Sequence, residues 1–216
     1  MALQNRVDPF GVLFADAARG LFTGNRGIIH DPDTKTLLGN RWTTKAWICC
    51  SLDYKGRRRD VWGRNGPEGA AGWTELFFAD EVTALAAGHR PCFFCRRADA
   101  EAFQAAFAQG SGQEIMPAPE MDAILHGERR LSMAGEPQRL SPIDLPGLPD
   151  GTMVEAGGTA YALRERRALA WRPDGYGSPA ALSDLMRAPV TLITPRATVS
   201  ALRNGYQPVW RGDPAA

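Results

Sequence analysis

The sequence predicts an α+β protein: a small hairpin-and-helix module over about residues 20–110, then an antiparallel α+β region over about residues 120–212. Three observations predict it. Short apolar β-formers alternate with turn chemistry from Thr23 to Gly63. Two well-signalled helices then stop at Gly88 and Gly110. Beyond a polar, proline-bearing connector at residues 111–120, short strands joined by tight turns precede one more helix.

Residues 1–20 read as a short helix. Asn25-Arg26-Gly27 and Asp31-Pro32-Asp33 are turn sequences, and Ile28–His30, Ala46–Leu52 and Asp60–Trp62 read as strands. Residues 64–72 (RNGPEGAAG) form a glycine-rich loop, and Trp73–Phe78 is a further strand. The first clear helix has Asp80 as its N-cap and Gly88 at the C′ position. The second runs from about Arg97 to Gln109 and buries Phe103 and Phe107 at i, i+4.

After the connector, MDAILHGERRL reads as a short amphipathic helix, and EPQRLSPIDLPGLPDG as a proline-rich loop suited to crossing the surface or covering a site. Residues 152–176 read as three short strands and APVTLI as another. TPRATVSALRNG is a helix with Thr194 as N-cap, Pro195 at N1 and Gly205 as its stop. Residues 82–92 and 199–209 share Val, Ala, Leu, Gly and Pro. A common glycine stop followed by an extended X-Pro accounts for this echo, with an old duplication as the alternative.

The 216 residues are 44% hydrophobic, enough for a proper core, and the formal net charge is +1. A nucleic-acid surface must therefore come from local patches. The N-terminus lacks the charged and apolar regions of a signal peptide, and no stretch approaches a membrane span. The expectation is a cytoplasmic protein with no membrane partner, whose cysteines are thiols or metal ligands rather than disulfides.

AAGHRPCFFCRR, residues 86–97, contains Cys92 and Cys95. Their C-x-x-C spacing lets two thiolates point at one ion across a tight turn, at about 2.3 Å each for zinc. A redox pair and two core cysteines are the alternatives. A thioredoxin-like pair wants a βαβ frame, and here a helix-Gly-Pro run precedes the cysteines. A four-ligand zinc site would draw on Cys49 and Cys50 in AWICCSL. Neighbours in a strand point to opposite faces, so one of the two faces an ion readily. The fourth ligand is then the other cysteine or a histidine, with His30 attractive at the end of a short strand.

ELFFADEVTALAAGHRPCFFCRR resembles the end of the N-terminal metal-binding domain of Ada-type DNA-repair proteins, and TTKAWICC resembles that family's strand carrying its first cysteines. The resemblance covers about residues 43–97. It implies a zinc-stabilised module with Cys92 and Cys95, and Cys49 or Cys50, as ligands, in which one zinc-bound thiolate takes a methyl group from a DNA phosphotriester. Two features depart from the family: Cys49 and Cys50 are adjacent, and the gap to the second pair is longer.

From Arg41 to Asn65 there are seven Lys/Arg against two Asp. Lys55, Arg57, Arg58 and Arg59 follow the cysteine strand, and Arg90 and Arg96 flank the C-x-x-C. Folded around a metal, these form a positive surface suited to phosphate. Trp42, Trp47, Tyr54, Trp62 and Trp73 add aromatics for base stacking, against the alternative of a solvated hairpin and ordinary core tryptophans. His126 reads as a partner of a helix C-terminus. His30, Asp31 and Asp33 read either as an Asx-type turn or as a metal or general-base site of the nuclease kind.

The expected function is a zinc-binding protein contacting DNA or RNA in repair or modification. The alternatives are a metal-dependent nuclease or alkyl transferase at the same centre, and a purely structural zinc module, which a chain of this length needs less than a small domain does.

Overall fold

The computed structural model describes residues 2–56, 58–133, 138–141 and 144–213. At the N-terminus, Asp8-Pro9 and Gly11 override the expected helix. Pro9 disfavours helical geometry at Asp8, and Gly11 takes φ +79°, a conformation open to glycine. Asp8 then accepts from Gly11 N at 2.9 Å through its carbonyl and from Val12 N at 2.8 Å through Oδ1. The result is a hairpin of β1 (Arg6–Val7) and β2 (Leu13–Phe14).

β3 (Phe22–Asn25) is followed by a small separate hairpin of β4 (His30–Asp31) and β5 (Thr36–Leu37). Then come β6 (Ile48–Ser51), β7 (Leu76–Phe78), α1 (Glu81–Ala86) and β8 (Arg90–Pro91). Among the described residues, six strands form one mixed sheet in the order β2-β1-β7-β3-β6-β8. Asp60–Trp62 is a turn instead of a strand: Gly63 N bonds the Asp60 carbonyl at 2.8 Å, and Trp62 sits at φ +59° with its N–H on Glu75 Oε2 at 2.9 Å. α1 carries the expected cap, with Asp80 Oδ1 accepting from Thr83 N at 2.9 Å and Gly88 at φ +80°.

α2 (Arg97–Gly110) buries Phe103 and Phe107 as their spacing predicts. α3 (Ala118–Met133) starts earlier and ends later than its sequence suggests, so His126 lies in mid-helix, edge-on to Trp42 at 5.7 Å. β9 (Gln138–Leu140), β10 (Met153–Ala156), β11 (Thr159–Arg164), β12 (Arg167–Arg172), β13 (Gly175–Tyr176), β14 (Ala180–Ala181), α4 (Leu182–Leu185) and β15 (Val190–Leu192) follow. Their strands form an all-antiparallel sheet. α5 (Arg196–Arg203) closes the fold, with Gly205 beyond it at φ +97°. Thr194 does not cap α5: Pro195 takes the cap position, and Thr194 Oγ1 accepts from Met153 N at 2.8 Å.

The cores cross the connector. Leu85, Phe103 and Phe107 pack with Met121 and Leu125 of α3 and with Leu202 and Tyr206 of the C-terminal segment. Val82 and Ala86 of α1 pack against Met153, Ala162 and Trp210. Among the described residues, no helix is long and apolar enough to cross a membrane.

His89 is enclosed between the Trp47 and Phe78 rings, at 5.1 and 4.6 Å. Arg26 Nε lies 3.3 Å from its Nε2, an acceptor only on a neutral imidazole. Burial, reinforced by the Arg26 and Arg129 guanidiniums, holds His89 well below the ordinary histidine range. Burial also lowers His30 and His126. A lowered native pKa means that, below about pH 6.5, the unfolded chain takes up protons the folded one refuses, so stability falls on acidification. We expect the unfolding free energy from urea denaturation, measured in chelator, to fall between about pH 7 and 5.5, with the fully buried His89 contributing a slope of up to about 1.4 kcal/mol per pH unit. His89→Gln flattens that slope; an equal slope in the variant refutes the assignment.

Candidate metal centre

The centre arises where β6 meets β8. The two run parallel, in register Ile48↔Arg90 and Cys49↔Pro91. Arg90 N bonds the Trp47 carbonyl at 3.1 Å, and Cys92 N bonds the Cys49 carbonyl at 3.0 Å. This ladder sets Cys92 beside Cys50. Residues 93–95 then turn, with Arg96 N on the Cys92 carbonyl at 2.9 Å, and α2 begins. The turn returns Cys95 to the same spot. The sulfurs of Cys50, Cys92 and Cys95 all lie within 4.8 Å of one another.

The three thiols share charge. Cys92 is driven well below the ordinary thiol value by hydrogen bonds from the Cys50 and Cys95 thiols, helped by backbone N–H groups of Cys95 and Phe94. Phe94 N lies 3.4 Å from Cys92 Sγ. Cys50 is pushed up because it donates to Cys92 and Cys95 and is buried. Cys95 is drawn down by its bond with Cys50, yet ends above the ordinary value because it donates to Cys92 and is partly desolvated. A divalent ion bound by the three sulfurs would displace the protons they hold. An ion about 2.3 Å from each sulfur needs them about 3.8 Å apart, a separation within the 4.8 Å that bounds the cluster. The donor set therefore fits a thiolate-preferring ion such as zinc.

Beside the sulfurs lies a cavity of about 470 Å³. Cys50 and Cys95 form part of its wall with Tyr54, Trp73, Phe77 and Phe94, and Arg58, Arg59 and Glu75 contribute polar groups. Arg59 is anchored, its Nε 2.6 Å from Glu75 Oε1 and its guanidinium 4.4 Å above the Trp73 ring. Arg58 and Lys55 are exposed, and Lys55 Nζ lies 5.3 Å from the Tyr54 ring centre. Phe94 is 63% exposed and its ring sits 5.1 Å from that of Tyr54. Arg57 lies outside the described residues.

The other proposed ligands are placed elsewhere. Cys49 is wholly buried with Leu76 and Phe78 on the opposite face of the sheet, and Arg96 Nη1 lies 3.6 Å from its sulfur. Burial, the dominant influence, pushes its thiol up. His30 bonds Thr74 Oγ1 through Nδ1 at 2.7 Å and stacks on Trp62. Asp31 forms the Asx turn, accepting from Asp33 N and Thr34 N at 2.8 and 3.1 Å.

Arg90 and Arg96 are interior residues, in contrast to the phosphate-facing role read from the sequence. Arg90 makes a two-pronged ion pair with Asp122, both contacts 2.8 Å. Arg96 does the same with Glu81 at 2.8 and 2.9 Å. Trp47 and Trp62 are likewise buried, whereas Tyr54 and Trp73 reach the cavity. Sequence reading overlooked Phe94. Of the two residues between the sulfurs, Phe93 packs on the core and Phe94 faces out, a choice the C-x-x-C spacing alone does not signal.

Compared with protein-family models, curated proteins and solved structures, the chain matches none.

Proposed function

We propose that the protein holds a zinc ion on Cys50, Cys92 and Cys95 and contacts nucleic acid on the surface beside it, in the repair or modification of DNA. The observation that carries this reading is the convergence of three sulfurs from β6 and the 92–95 turn, with Cys50 and Cys95 on the wall of a cavity that also includes Arg58, Tyr54 and Phe94. An all-sulfur donor set supports zinc. Exposed Lys55 and Arg58 suit phosphates, and the Tyr54–Phe94 pair suits stacking on unpaired bases. The Ada-type resemblance over residues 43–97 points the same way.

A second reading, alkyl transfer to a metal-bound sulfur, is favoured by the presence of Cys50 and Cys95 on the cavity wall. A mass gain on Cys50 or Cys95 after incubation with methylated DNA would support it.

Nucleic-acid contact is tested by fluorescence anisotropy with single- and double-stranded oligonucleotides across a salt series. Binding should weaken steeply with salt. Lys55→Ala and Arg58→Ala should each lower the log–log salt slope by about one. Phe94→Ala should weaken single-strand binding about 5- to 150-fold, the range of one lost base stack. Absence of binding to either oligonucleotide at low salt would refute the proposal.

A further inference from the structure

We infer that the three-sulfur centre is open: an ion on Cys50, Cys92 and Cys95 keeps its fourth position toward the cavity, where a ligand from outside the chain, an aromatic group carrying an anionic donor, completes it. The inference rests on the metal reading above and adds what occupies the remaining position.

Among the described residues, no fourth His, Cys, Asp or Glu donor joins the three sulfurs. Cys49 belongs to the other face of β6, in register with Gly24 and packed with Leu76 and Phe78. A Cβ at Gly24 would meet the Ile48 carbonyl and the Phe78 ring, so the sheet is tight at that point. Turning the Cys49 sulfur toward the others would reverse β6 and break its ladders to β3 and β8. All three histidines are engaged away from the sulfurs: His30 on Thr74, His89 between Trp47 and Phe78, and His126 against Trp42. Glu75, the carboxylate on the cavity wall, has Oε1 taken by Arg59 and Oε2 by the Trp62 N–H.

Three protein ligands with one outside ligand is the pattern of catalytic zinc, whereas structural sites close with four. Cys50 and Cys95 both border the cavity, so a position between them opens into it. The cavity defines its occupant. About 470 Å³ is ligand-sized; Tyr54, Trp73, Phe77 and Phe94 favour a planar ring, Arg58 favours negative charge, and the open position on the ion takes a lone-pair donor. With no such ligand bound, water fills the position.

The test uses the full chain loaded with Co²⁺, whose visible ligand-field bands report its donors, and two probes that differ only in their carbon group, benzohydroxamate and acetohydroxamate. Elemental analysis after each titration verifies that cobalt is retained. Both probes should shift the bands, and benzohydroxamate should half-saturate at least about tenfold lower. Phe94→Ala and Tyr54→Ala should erode that preference while the shift itself persists. Bands that move with neither probe, cobalt being retained, mean that the protein closes the site, and the inference falls. Equal affinities overturn the aromatic assignment. A chain that takes up no cobalt refutes the metal reading itself and separates the two failures.

Discussion

Expressed with zinc, Cys50→Ser and Cys92→Ser should lose stoichiometric metal, while Cys49→Ser should keep about one ion per chain. The three variants make the same chemical change and differ only in where the sulfur points. Cys50 and Cys92 share a cluster with Cys95; Cys49 lies in the core against Leu76 and Phe78. Removing one of three sulfurs leaves two, too few to compete with water and buffer for the ion. The Cys49→Ser change puts a hydroxyl into an apolar layer, and its cost of about 1–3 kcal/mol appears in stability rather than in metal content. Elemental analysis of the purified proteins, with thiol titration before and after chelation, reads the difference. Equal zinc in Cys50→Ser and the parent, or zinc lost from Cys49→Ser with its fold intact, would dismantle the assignment.

The second large effect is expected at Glu81. This carboxylate is wholly buried and joins three parts of the chain. It receives two contacts from Arg96 at the start of α2, the Tyr206 hydroxyl on Oε1 at 2.6 Å, and Val209 N on Oε2 at 3.0 Å. Arg96 in turn stacks over Phe22 at 4.4 Å. Glu81→Ala leaves a buried phenol and a backbone N–H without their acceptor, and leaves the buried Arg96 guanidinium only the half-exposed Asp99 carboxylate. Removing one member of such a pair costs about 3–5 kcal/mol, which lowers the melting temperature by about 6–20 °C for a chain of this size. Arg96→Ala should cost about as much, and the double substitution should cost less than the sum, because the second change removes the stranded partner. Urea denaturation of the four proteins measures the coupling. A loss below about 1 kcal/mol in Glu81→Ala would show that the network is not holding α1 to α2 and the C-terminal segment.

The elements read correctly from sequence depended on neighbours within a turn or two. Asp80 and Gly88 bound α1 through a cap and a positive φ, and Phe103 and Phe107 mark the buried stripe of α2. Both signals act over three to eight residues and survive whatever the rest of the chain does. Residues 1–20 depart from the expected helix because the backbone restrictions of Asp8-Pro9 and Gly11 make a hairpin.

The arginines misled for a different reason. A run of positive charge reads as surface when its acids are distant, and Arg96 finds Glu81 15 residues back, Arg90 Asp122 32 residues ahead. Long-range ion pairs leave no periodic trace.

The chain's local order alone determined that two cysteines three apart lie on a turn before a helix, and that only one of two adjacent strand cysteines can join them, because side chains alternate across a sheet. Tertiary structure decided which one. β3 and β7 pack their Phe78 and Leu76 side against the core, so Cys49 goes inward with them. Cys50 therefore turns with Thr23 and Phe77 toward the cavity, and the parallel pairing of β6 with β8 brings Cys92 to meet it. Which face of a sheet is buried is settled by what packs on it, and those partners lie dozens of residues away.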